Sequence, residues 1–233
     1  RTVGFSAGGR VADVYARRGV FGPRGSEFTL HGPQSAAAKV RLPLSGDFNV
    51  ANAVGAAAAA LALGMSVAEA AARLSGVPQV PGRLELIADQ PSVLRDYAHT
   101  PDALERALDA VRPFATGRLI VVFGCGGDRD RGKRPEMGAI AERKADLAIL
   151  TSDNPRTEDP ERILDDVEAG MHGRNHERVE DRRAAIERAL AVAAEGDVVV
   201  LAGKGHETYQ IRGTEKLPFD EREIVRELAG VRA

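Results

Sequence analysis

The sequence lacks the features that mark several protein classes. Its 233 residues include one cysteine, Cys125, no tryptophan and 4% aromatic residues, so no intrachain disulfide framework is expected. The 32 basic and 34 acidic side chains give a net charge of −2, which does not favour nucleic acid as a partner. The sequence contains no apolar run of about 18 residues, so no membrane-spanning helix is predicted. The first ten residues have no apolar signal core. These absences predict a cytoplasmic protein, and the length of 233 residues predicts one or two domains.

A phosphate-binding loop is nearly present but incomplete. The segment Gly124–Arg134, GCGGDRDRGKR, contains the pattern G-x-x-x-x-G-K, but Arg134 stands where the motif needs Ser or Thr to hold Mg²⁺. Asp128 and Asp130 lie inside the loop, and their carboxylates would repel a triphosphate, whereas phosphate nests consist of backbone N–H groups. We therefore expect another role for this segment.

The first part of the chain predicts a small antiparallel sheet followed by helices. Short apolar runs alternate with glycine- and proline-rich turns. The predicted strands are Val11–Tyr15, Glu27–Leu30 and Ala38–Leu44. An alanine-rich helix should run from a cap at Asn49 to Leu63, and a second helix, capped by Ser66, should end at Leu74. The segment GVPQVPGR then predicts a linker, so we expect a domain boundary after residue 82.

Beyond this boundary, strand patterns alternate with helix patterns, which predicts an α/β domain with a Rossmann-like, mostly parallel sheet over residues 83–233. The predicted strands are Leu84–Ala88, Val93–Tyr97, Leu119–Phe123, Leu147–Leu150 and Val198–Ala202. The predicted helices are Asp102–Val111, Arg134–Lys144, Pro160–Gly170, Arg182–Ala194 and Glu221–Leu228. No G-x-G-x-x-G motif opens the first βα unit, so we do not expect a bound dinucleotide.

Polar loops follow four of these strands, and in an open α/β sheet ligands bind beyond the carboxyl ends of the strands. The loops are Asp96–Asp102, Gly124–Arg129, Thr151–Arg156 and Gly203–Glu207. Arg129 and Arg156 can each bind a carboxylate through two hydrogen bonds, and Asp153 and Glu207 can each bind an ammonium group. Asn154 can donate and accept. This combination indicates a pocket for a small molecule with carboxylates and amines, such as an amino acid.

Each of these features also has a purely structural interpretation. Arg129 can belong to a surface ion pair, and Asp153–Pro155 can be a simple turn before a helix. The loop around Lys204 can be a tight glycine turn with that lysine and His206 in solvent. Similarly, His99 can serve the next helix as a capping residue. Cys125 fits a small buried residue better than a nucleophile, and the spacing of His172 and His176 does not favour a metal site.

Six segments together resemble the Mur ligases of bacterial peptidoglycan synthesis. In chain order they are GDFNVANAVGA, PGRLE, DYAHTPDALE, FGCGGDRDRGKRPEMG, SDNPRTEDP and AGKGHETYQ. The resemblance extends from about Leu42 to the end of the chain and is looser over residues 1–41. It implies an enzyme that uses ATP to phosphorylate a carboxylate of a UDP-linked peptide, after which an amine attacks the acyl phosphate and phosphate leaves.

The resemblance also implies roles for individual residues. The meso-diaminopimelate pocket would consist of Arg129, Asp153, Asn154, Pro155, Arg156, Gly203 and Glu207. The ATP-binding residues would be Asn52, near the adenine, with Arg83, Asp96 and His99. The implied small molecules are meso-diaminopimelate, ATP with Mg²⁺, and UDP-N-acetylmuramoyl-dipeptide. No catalytic residue and no metal ligand is assigned to these 233 residues.

The family pattern has three domains, and this sequence contains neither its UDP-sugar domain nor its complete phosphate loop. We therefore expect residues 1–82 to be the end of the central ATP-binding domain and residues 83–233 to be the C-terminal, amino-acid-binding domain. The chain alone should be inactive in ligation. Three alternatives remain: a sister ligase that adds L-lysine, a folate-adding ligase of the same superfamily, and a non-catalytic amino-acid-binding module.

Overall fold

A computed structural model describes residues 2–229, except for the side chain of Arg18. The chain divides into two compact units between Val80 and Pro81. This division lies two residues before the predicted domain boundary. Within the described residues, no helix combines the length and the apolar character that a bilayer crossing requires.

The first unit is a four-stranded sheet with two helices. The strands are β1 (Phe5–Ser6), β2 (Val14–Gly22), β3 (Gly25–His31) and β4 (Ala37–Leu42), and the helices are α1 (Asp47–Ala62) and α2 (Val67–Ser75). The sheet order is β1-β2-β3-β4, with β1 parallel to β2 and the other two pairs antiparallel. Apolar residues from β2, β3 and β4 pack against alanine and valine side chains of α1 and α2 to form the core.

Two predictions for this unit are wrong in detail. The strand predicted at Val11–Tyr15 begins later and runs through to Gly22, because β2 accommodates its glycines with a shift in register between Arg17 and Val20. Asn49 is not the cap of α1, since the helix begins two residues earlier, at Asp47. The Asn49 side chain instead donates from Nδ2 to the Ser45 carbonyl at 2.8 Å.

The predicted cap of the second helix is confirmed. Ser66 Oγ accepts a hydrogen bond from the Glu69 N–H at 3.2 Å, and the Glu69 carboxylate accepts one from the Ser66 N–H at 3.0 Å. This reciprocal pair satisfies two N–H groups that a helix start otherwise leaves free. It fixes the start of α2 one residue after the cap.

The second unit is a six-stranded sheet with helices on both faces. Its strands are β5 (Glu85–Asp89), β6 (Ser92–Asp96), β7 (Leu119–Phe123), β8 (Leu147–Leu150), β9 (His176–Arg178) and β10 (Val198–Ala202). Its helices are α3 (Pro101–Val111), α4 (Lys133–Lys144), α5 (Pro160–Glu168), α6 (Arg182–Val192) and α7 (Glu221–Leu228). The order is β5-β6-β10-β7-β8-β9; only the β5–β6 pair is antiparallel. The predicted α/β class is confirmed.

The two-residue β1 of the first unit was not predicted, and three strands of the second unit were missed. They are β9 and an antiparallel hairpin of β11 (Tyr209–Arg212) and β12 (Glu215–Pro218). β9 and β12 are short and polar and contain no apolar run, whereas β11 alternates Tyr209 and Ile211 with polar residues over only four positions. The hairpin follows β10 and approaches the loop after β8, where Arg156 forms an isolated bridge with Arg212.

The parallel strands place four loops at one edge of the sheet. Residues of β7 and β10 are buried on both faces. One face packs against Ile186 of α6 and Val225 of α7, while α3 and α4 contact β10 and β8, respectively. Because β6, β7, β8 and β10 are all parallel, their carboxyl ends point the same way. The loops that carry most of the candidate residues therefore share this edge.

Candidate functional site

Close backbone contacts hold these loops against one another. A Cβ atom at Gly127 would lie 1.9 Å from the Pro155 carbonyl oxygen, so the loop after β7 packs directly on the loop after β8. Gly205 has a φ of +53°, and a Cβ there would lie 2.7 Å from the Tyr97 Cβ. Only glycine fits at such an approach without displacing backbone. The loop after β10 is thus packed against the loop after β6.

Arg156 is held in place by both its backbone and its side chain. Its φ is +52°, which is uncommon for a residue other than glycine. Its N–H donates to the Ile211 carbonyl at 3.1 Å, and its own carbonyl accepts from Gly213 N–H at 2.6 Å. Nη1 donates to the carbonyls of Gly127, at 2.9 Å, and Asn154, at 3.3 Å. The hairpin and the loop after β7 therefore aim this half-buried guanidinium group.

Asn154 and Glu207 bond to each other across the edge, and Lys204 contacts both. Asn154 Nδ2 donates to Glu207 Oε2 at 3.0 Å. Lys204 Nζ lies 3.2 Å from Asn154 Oδ1 and 3.3 Å from Glu207 Oε2. The Lys204 side chain has 0% exposure, and burial lowers the pKa of its ammonium group. An amide, a carboxylate and a buried cation thus form one connected group.

Asp153 has an oxygen atom without a partner. The residue is buried, and its Oδ2 makes no hydrogen bond. Gly203, with a φ of +113°, lies directly beside it, since a Cβ at Gly203 would be 2.8 Å from Oδ2. A buried unsatisfied carboxylate oxygen is costly unless another group reaches it. Asp153 Oδ2 is therefore suited to accept a hydrogen bond from a cationic ligand.

The loop that carries Arg129 is fixed by ion pairs beneath it. The fully buried Arg134 donates to both oxygens of Glu158, at 2.9 and 3.1 Å. Glu158 Oε1 also accepts from the Asp128 N–H at 2.5 Å. The hydrogen bonds from Arg134 are the first cause that lowers the pKa of Glu158 to about 2. Arg129 itself is exposed, and its Nη1 donates to the Asp128 carbonyl at 2.9 Å.

A second group surrounds Tyr97, at the end of β6. The ring of His99 lies 4.6 Å from the Tyr97 ring and that of His206 lies 5.5 Å away. The guanidinium carbon of Arg83 lies 5.4 Å from the centre of the same ring. Arg83 and both histidines are exposed. We refer to Arg83, Tyr97, His99 and His206 as the Tyr97 cluster.

Asp96 anchors the backbone under this cluster. Its two carboxylate oxygens accept hydrogen bonds from the N–H groups of Leu84 and Ala98, each at 2.8 Å. Burial raises the pKa of Asp96 above its ordinary value. The carboxylate thereby ties the start of β5 to the end of β6 and fixes the segments that carry Arg83 and His99.

The structure brings most predicted site residues into two sets. One set, which we call the amino-acid half, contains Asp153, Asn154, Pro155, Arg156, Gly203 and Glu207. Arg129 borders this set. A Cβ atom on Gly126 would lie 3.7 Å from Arg129 Cγ and 2.9 Å from Arg156 Nη1. The other set is Arg83, Asp96 and His99. Asn52 belongs to the first unit and lies exposed on α1.

Sequence reasoning missed or misjudged several residues of the amino-acid half. The interpretation that Lys204 is solvated is wrong, because Asn154, Glu207 and the rings of Tyr209 and Phe219 enclose it. Gln210 was not considered, yet its buried Nε2 donates to the Asp153 carbonyl at 2.9 Å. Its position three residues after the loop Gly203–Glu207, which carries candidate groups, was the available signal. Cys125 is buried, as expected, and burial raises the pKa of its thiol to about 12.

Comparison with known proteins identifies the family. A family model described as Mur ligase, glutamate ligase domain, matches residues 82–205, just over half of the chain. A curated relative from Gloeobacter violaceus, UDP-N-acetylmuramoyl-L-alanyl-D-glutamate--2,6-diaminopimelate ligase, is 55% identical over 220 residues, which are 93% of this chain and 45% of the relative. The chain belongs to the Mur ligase family.

Further Mur ligase relatives give a consistent picture. A Clostridium acetobutylicum protein named as a ligase of the same kind is 46% identical over 220 residues, covering 93% of this chain and 45% of that protein. The chain thus spans about half the length of the curated relatives it matches. A solved structure of a UDP-N-acetylmuramoyl-L-alanyl-D-glutamate--2,6-diaminopimelate ligase is 39% identical, with a TM-score of 0.76, and the match covers 99% of this chain and 48% of that one.

A more distant structure shares the fold alone. A pseudomurein peptide ligase type C from Methanothermus fervidus has a TM-score of 0.65 at 22% identity, covering 95% of this chain and 42% of that chain. The sequence resemblance to Mur ligases is therefore confirmed by the family model, the curated relatives and the 39% identical structure.

Two cavities are lined by no residue of the four loops. One, of 430 Å³, is in the first unit and is lined by residues that include Gly8, Arg17 and Phe48. The other, of 490 Å³, lies beside α7 and the hairpin and is lined by residues that include Phe219 and Glu223. Neither is lined by a predicted site residue. The candidate site is thus an arrangement of loops at a sheet edge rather than either of these hollows.

Proposed function

We propose that this chain is part of an ATP-dependent ligase of peptidoglycan precursor synthesis. The ligase would add meso-2,6-diaminopimelate to UDP-N-acetylmuramoyl-L-alanyl-D-glutamate, and the reaction would take place in the cytoplasm. The observation that carries the proposal is the amino-acid half, in which Asn154 contacts both Arg156 and Glu207 and the adjacent Asp153 keeps an unsatisfied carboxylate oxygen. The names of the relatives support the same substrate.

The proposed roles follow from charge. Arg156 and Arg129 would bind carboxylates, since a guanidinium group offers two parallel donors to a carboxylate. Asp153 and Glu207 would bind an ammonium group. One amine of the ligand must reach the acyl phosphate unprotonated, so the site has to hold the other charged groups and leave that amine free. Pro155 and Gly203 would shape the pocket through their backbone.

The ATP side of the proposal rests on the other residues. Arg83 and His99 in the Tyr97 cluster offer exposed donors, and Asp96 would act by fixing the segments that bear them. Asn52 would contact the adenine. Mg²⁺ is expected with ATP, but among residues 2–229 no three His, Cys, Asp or Glu side chains form a group able to ligate a metal. No step of the reaction is therefore assigned to a metal held by these residues.

Domain roles belong to the same proposal. Residues 1–82 would form the end of the central ATP-binding domain, and residues 83–233 would form the amino-acid-binding domain. The second candidate function is amino acid binding without turnover by these 233 residues. It is favoured by Arg134, which stands in place of the phosphate-loop Ser or Thr. A sister ligase that adds L-lysine would have no use for a distal guanidinium group, and nothing in the amino-acid half favours a folate.

Calorimetry tests the proposal directly. The chain is titrated with meso-diaminopimelate, with L-lysine and with ATP, and ligation by the complete enzyme is assayed with both amino acids. We expect preferential binding and use of diaminopimelate. Equal use of lysine would overturn the substrate assignment, and ATP turnover by the 233 residues alone would overturn the assignment of the phosphate loop to another part of the enzyme.

A further inference from the structure

Lys204 is a buried cation to which the proposed reaction gives no role. Its Nζ contacts Asn154 Oδ1 and Glu207 Oε2, at 3.2 and 3.3 Å, and lies 5.7 and 6.0 Å from the centres of the Tyr209 and Phe219 rings. Burying an ammonium group is costly unless it is paired and hydrogen-bonded. The site retains this cation directly behind two residues proposed to bind the amino acid.

Lys204 fixes the orientation of the Asn154 amide. Ammonium groups only donate and carboxylates only accept, so the atom that faces Lys204 must be Oδ1 and the atom that faces Glu207 must be Nδ2. The Ile211 N–H also donates to Oδ1, at 2.9 Å. A carbonyl oxygen accepts about two hydrogen bonds, and both positions of Oδ1 are therefore filled.

The Asn154 amide has only a hydrogen-bond donor left for a ligand. One N–H of Nδ2 is used by Glu207 Oε2, at 3.0 Å, which leaves one N–H for a ligand. Asn154 can thus bind an acceptor, such as a carboxylate, but not an ammonium group. Glu207 has the opposite character, because its carboxylate keeps acceptor positions on Oε1 and offers no donor.

We propose that Lys204 is a positioning residue of the amino-acid half, which sets Asn154 to bind a carboxylate and Glu207 to bind an ammonium group. The inference rests on the proposed function and deepens it. Loss of Lys204 would leave only the Ile211 N–H and Glu207 Oε2 to keep the amide from turning over and exchanging its oxygen and nitrogen. With Lys204 in place, the neighbouring side chains distinguish the two charged groups of an amino acid.

A double-mutant cycle tests this role in the complete ligase. Lys204→Met keeps the length of the side chain and removes the charge, and Asn154→Ala removes the amide that Lys204 is proposed to orient. We expect Lys204→Met to raise the KM for diaminopimelate at least about tenfold and to leave the KM for ATP within about twofold. In the Asn154→Ala background, Lys204→Met should raise the KM for diaminopimelate by a further factor of less than about three, because the two residues act as one unit.

Two outcomes would overturn the inference. One is an unchanged diaminopimelate KM in Lys204→Met, and the other is the same fold-change in both backgrounds, as expected of a residue that only supports the fold. Lys144→Met is the matched control, since Lys144 forms ion pairs with Asp109 and Glu105 at the end of α4. This control should not change the KM for diaminopimelate.

A second comparison tests the inference if Lys204→Met does not fold. Lys204→Met with Glu207→Gln removes both charges of the pair, and it is compared with Glu207→Gln alone. We expect the double variant to bind diaminopimelate at least about fivefold more weakly, and equal binding would overturn the inference. Failure of the proposed function looks different, because the unmodified protein would then not bind diaminopimelate at all.

Discussion

The two halves of the sheet edge differ in how their polar groups are held. In the amino-acid half, Asn154, Arg156 and Glu207 all have protein partners, and the cation behind them is fully buried. In the Tyr97 cluster, Arg83 and His99 are exposed; Arg83 lies over the Tyr97 ring, and His99 lies near this ring with its Nδ1 2.8 Å from the Tyr97 carbonyl oxygen. The first arrangement is fixed before a ligand arrives, and the second can adjust.

This difference has an energetic consequence. Removing one partner of a buried hydrogen bond or ion pair costs several times more free energy than at the surface, because it leaves the other polar group buried without water or a partner. Exposed pairs contribute about 0–1 kcal/mol. Single substitutions should therefore have large effects in or beneath the amino-acid half and small effects in the Tyr97 cluster.

The largest expected effect comes from the ion pair beneath the amino-acid half. Arg182 and Glu221 both have 0% exposed side chains, and Arg182 Nη2 also donates to the Ala202 carbonyl at 2.9 Å, at the end of β10. Arg182→Ala leaves Glu221 buried without its partner. We expect a loss of about 3–5 kcal/mol in the free energy of unfolding, measured by urea denaturation.

The neighbouring residue supplies the control for this prediction. Arg183 pairs with Glu227 at 2.7 Å, but both side chains are about half exposed or more. Arg183→Ala should therefore change the free energy of unfolding by less than about 1 kcal/mol. Equal losses of unfolding free energy in Arg182→Ala and Arg183→Ala would contradict the expected difference between buried and exposed ion pairs.

The next largest effect concerns the choice of amino acid. Lysine and diaminopimelate differ by one distal carboxylate, and loss of a charge-assisted pair from a dry site costs roughly 2–4 kcal/mol. Arg156→Ala in the complete enzyme should lower kcat/KM for diaminopimelate at least about tenfold, with the KM for ATP nearly unchanged. Arg106→Ala, in an exposed pair on α3, is the control. Intact diaminopimelate kinetics in Arg156→Ala would refute the assignment.

Burial also explains which elements the sequence predicts. The bounds of β7, β8 and β10 agree with the predictions to the residue, because strands buried on both faces are continuous apolar runs bounded by polar residues. The polar β9 and the hairpin of β11 and β12 were missed. The strand conformation of β9 comes from ladder hydrogen bonds to β8, which no local pattern reveals, whereas the two-residue turn Gly213–Thr214 was an overlooked local signal for the hairpin.

The same contrast applies to the site. Order along the chain was enough to assign Arg156 and Glu207 to one edge, since both follow parallel strands. The burial of Lys204 could not be predicted, because a lysine between two glycines is ordinarily in solvent and its ring neighbour Phe219 lies fifteen residues away. The left-handed conformation of Arg156 likewise depends on Ile211 and Gly213, distant residues that bond its backbone.

A smaller effect on stability is expected when the pH is lowered. The ordinary pKa of Glu158 is 4.5, and hydrogen bonds from Arg134 lower it to about 2 in the folded protein. A carboxyl group with a lowered folded pKa stabilises the protein fully above its unfolded pKa, and this contribution disappears as the pH falls through the folded pKa. Glu158→Gln should therefore unfold more readily than the unmodified chain above pH 4.5, and the difference should shrink between pH 4.5 and 2.

Thermal unfolding of both proteins across this range measures the difference. Glu187→Gln, at an exposed position of α6, should unfold like the unmodified chain at every pH. A difference for Glu158→Gln that stayed constant down to pH 2 would mean that the carboxylate charge does not hold the loop of Arg129.

The smallest effect is expected in the Tyr97 cluster. Arg83 is exposed and lies over the Tyr97 ring with 5.4 Å between its guanidinium carbon and the ring centre, a contact worth roughly 0.5–1 kcal/mol at an exposed site. Its proposed contact with ATP would also take place in water, where ion pairs contribute little. Arg83→Ala in the complete enzyme should therefore raise the KM for ATP only about two- to fivefold and leave the KM for diaminopimelate unchanged. Steady-state kinetics with each substrate varied in turn measure both values. A loss for Arg83→Ala as large as that for Arg156→Ala would mean that the exposed cluster is as firmly arranged in the working enzyme as the buried half, and the comparison between them would fail.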